Sequence, residues 1–234
     1  MQYQGGKARS GKWIVELIAK NGAIGPFWEP FCGGLGASVC LAAKFGAGLH
    51  SDGNLALASM YSAVYRGWLP PSAVSEADYQ AARELPDSDP LKAFTAVACS
   101  FGGKWFGGYA RDRGVRDYCA QGRRAVLRDV PQLTEVFYAD FLQSTPEAGL
   151  GFLYCDPPYG GTTQYSGAPK FDADRFWAVA AAWSKFCPVF VSEYAAPFGW
   201  IEIGAREQNT GLGGGKLRAV ERLFQLGVRP PVGD

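Results

Sequence analysis

Histidine is almost absent from this chain. His50 is the single histidine among 234 residues, which leaves His-based metal sites and Ser–His–Asp catalysis almost nothing to work with. No apolar run approaches the ~18–20 residues of a membrane span, and the first residues lack the apolar core of a signal peptide. We therefore expect a protein that uses neither a metal nor a membrane.

The six cysteines show no CxxC pair and are scattered along the chain. Several lie in apolar stretches, where a free thiol behaves as a small buried hydrophobe. Such spacing favours buried free thiols in a reducing compartment over disulfides.

The net charge of +1 gives no support to nucleic-acid binding by itself, but its distribution does. Between Lys104 and Arg128 there are seven basic residues against two acidic ones, and glycines and aromatics interleave residues 101–109. Basic side chains mixed with aromatics on a flexible backbone suit a phosphate backbone with unstacked bases. A solvated basic helix face explains the same stretch equally well.

The first part of the chain alternates predicted strands and helices. A strand before Glu29 enters a glycine turn over residues 29–36, and a second strand ends at Asp52. This order of strand, glycine turn, helix, strand and acid is typical of a nucleotide-like ligand held at a helix N-terminus. The predicted elements are helices 10–20, 37–45 and 55–65 and strands 23–28 and 48–51.

The rest of the chain contains a region of different character. Residues 61–134 have prolines between short helical patterns, which predicts an inserted, mainly helical module. Alternation then resumes with strands 135–138, 151–155 and 188–192, a helix over 174–186 and a closing edge strand over 219–226. Alternating strands and helices predict a mostly parallel α/β sheet covered on both faces.

Asp156-Pro157-Pro158-Tyr159 follows the apolar strand 151–155. Two prolines stop the ladder there, since neither donates a backbone hydrogen bond. A carboxylate, a carbonyl and an aromatic face are thus predicted at the carboxyl end of a strand, where open α/β sheets bind ligands. Such a cluster suits an exocyclic amino group with its base stacked on tyrosine, although a plain Pro-Pro turn is the alternative.

Residues 6–12 satisfy the phosphate-loop pattern GxxxxGK. However, Trp13 stands where the Mg²⁺-binding serine or threonine belongs, and there is no room before Gly6 for the preceding strand. The sequence therefore argues against a nucleotide triphosphatase.

Five ordered blocks resemble the Dam-like DNA adenine methylases. Tyr3–Lys7 is similar to the family's W-x-G-G-K block, with tyrosine for tryptophan, and residues 27–36 are similar to its E-P-F-x-G-x-G loop. Residues 51–54 correspond to its D-x-N turn, and residues 156–159 match its DPPY motif in full. Residues 191–194 and 216–224 look like its later strands, as in phage-type members.

The resemblance implies a Rossmann-like S-adenosylmethionine-dependent methyltransferase sheet. The catalytic domain would comprise residues 1–60 and 135–234, with residues 61–134 as an inserted target-recognition region. The cofactor is S-adenosyl-L-methionine, and the catalytic residues are Asp156, Pro157 and Tyr159. The implied cofactor contacts are Tyr3, Lys7, Glu29, Phe31, Gly33, Gly34, Gly36, Asp52, Asp140, Phe141 and Asp156.

The implied partner is double-stranded DNA, methylated at adenine N6 with site-specific or relaxed specificity. RNA methylation and a catalytically silent nucleic-acid-binding homologue are the alternatives. A monomer or weak dimer in the cytoplasm of a bacterium or phage-infected cell is expected, with a role in restriction-modification or phage protection. The residues expected to face nucleic acid are Lys104, Trp105, Tyr109, Arg111, Arg113 and Arg116, of which Arg111 and Arg113 would contact phosphates.

Overall fold

The structure is a computed structural model that describes residues 1–111, 116–159, 171–209 and 218–227. Its α-helices are α1 (Gly11–Lys20), α2 (Ser38–Phe45), α3 (Leu55–Tyr65), α4 (Glu76–Ala81), α5 (Pro90–Ala98), α6 (Tyr118–Asp129) and α7 (Ala173–Trp183). Its strands are β1 (Phe27–Glu29), β2 (Leu49–Asp52), β3 (Val136–Tyr138), β4 (Phe152–Cys155), β5 (Val189–Glu193), β6 (Trp200–Asn209) and β7 (Arg218–Leu226). Single 3₁₀ turns cover Ala82–Glu84, Phe101–Gly103 and Val130–Gln132.

In the described residues the strands form one sheet in the order β3-β2-β1-β4-β5-β7-β6. The first five of these strands are parallel, and β7 runs antiparallel to both β5 and β6. The predicted Rossmann-like α/β fold is confirmed. The prediction that residues 219–226 close the sheet as its edge is wrong, because β7 is inserted between β5 and β6 and leaves β6 at the edge.

Helices cover both faces of the sheet. Side chains alternate along a strand, so Phe152 and Tyr154 of β4 pack against α1 and α2. Leu153 and Cys155 point to the other face and pack against α7. Because β4 is buried on both faces, the position just after its last residue is held rigidly.

The predicted insertion contributes the helices α4, α5 and α6. Phe94 and Val97 of α5 and Val126 of α6 pack in one buried cluster with Leu57 and Tyr61 of α3. The insertion therefore shares a hydrophobic core with helix α3. Its boundaries at 61 and 134 stay a prediction.

All six cysteines are free thiols, and all but the half-buried Cys40 are buried, as the sequence predicted. None of the helices in the described ranges is long and apolar enough to cross a membrane.

Candidate active site

The predicted site residues gather where the parallel strands end. Glu29 ends β1, Asp52 ends β2, Asp140 follows β3 and Asp156 follows β4. Parallel strands bring these carboxyl ends to one edge of the sheet. Strands β1 and β4 are neighbours there, and the chain order reverses at this point, as it does at the ligand crevice of open α/β sheets.

Asp52 fixes the glycine loop to the end of β2. Its carboxylate accepts the Gly33 N–H at 2.8 Å and the Asn54 N–H at 2.8 Å, while the Tyr61 hydroxyl donates to the Gly33 carbonyl at 2.7 Å. Burial raises the pKa of Asp52 to about 6, although the N–H groups of Asn54 and Gly33 oppose the rise. The loop and the carboxylate therefore form one preorganised unit.

The N-terminal segment, residues 1–7, covers this loop. The Tyr3 side chain lies against Gly33 and Gly34, and a Cβ added at Gly34 would lie 2.5 Å from the Tyr3 Cβ. A Cβ at Gly36 would lie 2.5 Å from the Ala8 nitrogen and 2.7 Å from the Lys7 carbonyl carbon. The glycines thus admit the backbone that carries Tyr3 and Lys7, and their predicted contact with the cofactor stays a prediction.

Substituting Gly36 by alanine should displace the backbone at Lys7 and Ala8. We expect a loss of about 1–3 kcal/mol in the free energy of unfolding, the usual range for overpacking, measured by urea denaturation. Gly53→Ala is the matched control, since its Cβ would meet only the Ala139 carbonyl oxygen at 3.8 Å. Equal stability of the two variants would contradict the close packing.

Lys7 joins two buried carboxylates at the end of β4. Its Nζ lies 2.9 Å from Asp156 Oδ1 and 3.4 Å from Glu221 Oε1, and the side chains of Lys7 and Glu221 are each 7% exposed. Buried charges are destabilising unless they are paired. The first block of the sequence and the DPPY motif are therefore held together by charge.

The cluster shifts the titration of its own members. Burial raises the pKa of Asp156 to about 7, with Lys7 opposing the rise and Glu221 adding to it. Burial disfavours the charged form of Lys7, but Asp156 and Glu221 outweigh this and raise the pKa of the lysine. At neutral pH the ammonium is therefore retained while Asp156 is close to its own titration.

Tyr159 is oriented on three sides. Its hydroxyl donates to Glu221 Oε1 at 2.7 Å, and Lys7 Nζ lies 4.4 Å from its ring centroid. Tyr194 meets the ring edge-on, with centroids 4.7 Å apart. Burial, Asp156 and Glu221 together raise the pKa of Tyr159 well above its ordinary value, so the phenol stays a neutral donor.

Residues 3–94 match the family model described as D12 class N6 adenine-specific DNA methyltransferase. These residues, called the D12 segment below, are similar to that family. The D12 segment takes in Tyr3, Lys7, the glycine loop and Asp52, and it ends before Asp156. The match confirms the Dam-like resemblance over these residues and supports adenine methylation of DNA as the activity, which implies use of S-adenosylmethionine.

The N-methyltransferase NodS from Bradyrhizobium japonicum WM9 is a solved structure similar to this chain. The two are 8% identical, with a TM-score of 0.43 over 92% of this chain and 93% of that chain. A comparison with curated proteins found no match.

Two of the predicted cofactor contacts are aromatic: Phe31 lies in the glycine loop, and Phe141 lies in the turn after β3. The rings of Phe31 and Phe141 are 5.4 Å apart, and both are half-buried. The Asp140 carboxylate accepts the Leu142 N–H at 3.0 Å and shapes the turn that carries Phe141. The structure brings the two rings together against the buried cluster that contains Phe176, and their contact with the cofactor stays a prediction.

Glu29 of the D12 segment has a buried partner. Its Oε2 lies 2.8 Å from His50 Nδ1, and both side chains are at most 1% exposed. One oxygen of this carboxylate is thus engaged inside the protein, and a contact of Glu29 with the cofactor stays a prediction.

The predicted nucleic-acid residues divide into exposed and packed side chains. Lys104 and Arg116 are exposed, and Arg111 is exposed but pairs with Glu76 at 2.6 Å. The Tyr109 hydroxyl donates to the Val74 carbonyl at 2.7 Å, and Trp105 is half-buried against the core. Arg113 lies outside the described residues.

The N-terminal segment also contacts this basic region. The Gln4 N–H donates to the Gly103 carbonyl at 3.2 Å, and a Cβ added at Gly103 would lie 2.5 Å from the Gln2 carbonyl oxygen. Residues of the D12 segment therefore link the glycine loop to the predicted DNA-facing turn.

Sequence reasoning missed Glu221 and Tyr194 as site residues. The signal for Glu221 was a carboxylate inside an otherwise apolar strand, which is unfavourable unless the charge has a partner. Among the described residues no group of three or more His, Cys, Asp or Glu side chains is arranged to hold a metal ion.

Proposed function

We propose that this chain transfers a methyl group from S-adenosylmethionine to the exocyclic amino group of an adenine swung out of double-stranded DNA. The observation that carries the proposal is the contact of 2.9 Å between Lys7, in the matched segment, and Asp156 of the DPPY motif. This contact joins the N-terminal block of the matched segment and the predicted acceptor of the amino group in one site.

The residues at the sheet edge fit the cofactor. Asp52 presents a carboxylate, held by two backbone N–H groups, at the position where dinucleotide folds bind ribose hydroxyls. Phe31 and Phe141 provide an apolar wall, and Tyr3 and Lys7 close the loop from the N-terminal side. When bound, S-adenosylmethionine supplies an electrophilic methyl group on a sulfonium.

Asp156 and the Pro157 carbonyl orient the adenine amino group. Accepting its two N–H bonds favours a pyramidal nitrogen with a localised lone pair, and Tyr159 stacks on the extruded ring. With the cofactor bound, this nitrogen would form a bond to the methyl carbon, and the electron pair of the broken carbon–sulfur bond would go to sulfur. One amino proton is lost to solvent. Positioning supplies much of the rate.

The test is incubation of the protein with tritiated S-adenosylmethionine and unmethylated DNA, followed by digestion and chromatography of the bases. We expect the label on N6-methyladenine, with parallel RNA and protein substrates unlabelled. Label on cytosine, or on no DNA base, would refute the proposal. Sequencing DNA from expressing cells then gives the sequence context.

Removal of two cations, in Arg111→Gln/Arg113→Gln, should weaken binding to all DNA sequences. Each lost phosphate contact reduces the magnitude of the negative slope of log affinity against log salt by about 0.9. For the double variant we therefore expect this magnitude to fall by about 2, measured by fluorescence anisotropy. Arg66→Gln is the matched control, because Arg66 has the same 71% exposure and pairs with Glu135 at 2.6 Å, as Arg111 pairs with Glu76. An unchanged slope in the double variant would remove the phosphate assignment.

A further inference from the structure

Glu221 is a buried carboxylate on β7, the strand between β5 and the edge strand β6. It is the neighbour in sequence of Arg222, which pairs with Glu193 of β5. A carboxylate in such surroundings is strongly disfavoured unless it is paired and hydrogen-bonded. Two of its partners are Lys7 and Tyr159, and both belong to the proposed methyl-transfer site.

The Lys7 ammonium occupies the carboxylate that is proposed to bind the adenine amino group. It contacts Asp156 Oδ1 at 2.9 Å, and Asp156 is the group proposed to accept an N–H from adenine. The ammonium and the amino group are both donors, so they compete for the same carboxylate. Glu221 Oε1, 3.4 Å from the same Lys7 Nζ, is the second anion within its reach.

The orientation of the Tyr159 ring depends on the same Glu221 oxygen. The Tyr159 hydroxyl donates to Glu221 Oε1 at 2.7 Å, and the Tyr194 ring lies nearly perpendicular to the Tyr159 ring, with the centroids 4.7 Å apart. The hydrogen bond to Glu221 and the contact with the Tyr194 ring together restrict rotation of the Tyr159 side chain. The plane on which a base would stack is therefore set from β7.

We propose that Glu221 is a positioning residue for methyl transfer. It receives the Lys7 ammonium when the adenine amino group takes its place at Asp156, and it holds the Tyr159 ring in the stacking plane. This inference depends on the proposed function and adds to it a residue from outside the matched segment and the DPPY motif.

Glu221→Gln tests the charge without removing the acceptor. Glutamine still accepts the Tyr159 hydroxyl, but it no longer attracts the ammonium, so Lys7 stays on Asp156. We expect kcat to fall about tenfold or more, since small misplacements in a site have effects of this order. The Kd for S-adenosylmethionine, measured by calorimetry, should stay within about twofold, because Kd reports binding and not the transfer step.

The pH profile provides a second readout. The charge of Glu221 adds to the raised pKa of Asp156, so its removal should move the acid limb of kcat/KM to lower pH. An unmoved limb would show that the charge of Glu221 does not act on Asp156 and would contradict the shared cluster. The titratable groups that act on the pKa of Asp156 are Lys7, Glu221 and Glu29, and Asp156 in turn raises the pKa of Tyr154, Tyr159 and Tyr194.

Glu202→Gln is the matched control on the same hairpin. Glu202 is 39% exposed on β6 and pairs with Arg222 at 2.6 Å, and its loss should leave kcat and the pH profile unchanged. If Glu221→Gln fails to fold, Tyr159→Phe removes the hydroxyl while the carboxylate remains. That variant should lower kcat with the same Kd for S-adenosylmethionine.

The outcomes separate this inference from the proposed function. Wild-type kcat and pH profile in Glu221→Gln, with transfer abolished in Asp156→Ala, would overturn the role of Glu221 alone. No transfer by the wild-type protein would overturn the proposed function, and the inference with it. Full kcat in Tyr159→Phe would overturn the stacking part, whereas non-additive effects of the two substitutions would support a shared role.

Discussion

Replacing Asp156 by alanine should reduce methyl transfer by at least about 10²–10³-fold, the size of effect that loss of one orienting group has in other active sites. The variant loses the acceptor that holds the adenine amino group in the plane of attack. Lys7 retains Glu221 as a partner at 3.4 Å, so the N-terminal segment should keep its place. The measurement is kcat with tritiated S-adenosylmethionine, alongside calorimetric cofactor binding.

Two further variants test whether the loss of activity comes from the missing acceptor. Asp156→Asn keeps one acceptor oxygen and should retain more activity than Asp156→Ala. Asp174→Ala removes an exposed aspartate in the first turn of α7 and should transfer methyl groups at the wild-type rate. A folded Asp156→Ala protein with near-normal kcat would disprove the assignment of the acceptor.

Replacing Lys7 by methionine should move the acid limb of kcat/KM upward. In the wild type that limb is expected near pH 7, because the carboxylate form of Asp156 accepts the amino group and the pKa of Asp156 is raised to about 7. Lys7 opposes that rise, so the pKa of Asp156 goes higher still without it. Activity at pH 7 should fall about tenfold for each unit of further shift and recover as the pH rises.

The control for this prediction is Lys20→Met, an exposed lysine at the end of α1. It should show the wild-type profile. Lys7→Arg keeps the positive charge and should hold the limb near its wild-type pH even if its geometry lowers kcat. A limb that moves downward in Lys7→Met would show that Asp156 is not the group that titrates.

Local signals predicted most of the parallel half of the fold. Helix α3 has its predicted bounds because Asn54 caps it, accepting the N–H groups of Ala56 and Leu57. Strand β6 was missed, since it is an exposed edge strand with a register shift between Glu202 and Gly204, and edge strands carry a weak alternation signal. The place of β7 inside the sheet depends on pairing with β5, which no local pattern encodes.

The candidate site also contains residues that a local motif predicts and residues that only the packing of distant strands brings in. Asp52, the glycine loop and Asp156 have local motifs, and the structure places each at the predicted strand end. The role of Glu221 is not local, because it follows from the packing of β7 between β5 and β6 against the N-terminal segment. Tyr109 was assigned to nucleic acid as an aromatic in a basic stretch; its hydroxyl donates to the Val74 carbonyl, and its contact with nucleic acid stays a prediction.

The place of β7 has a consequence for the order in which the site assembles during synthesis. Lys7 emerges from the ribosome early and Glu221 late, so the ammonium and Asp156 are made long before their shared anion. Contacts between distant parts of a chain also form slowly in folding. The nascent protein should therefore bind no base productively until β7 has entered the sheet.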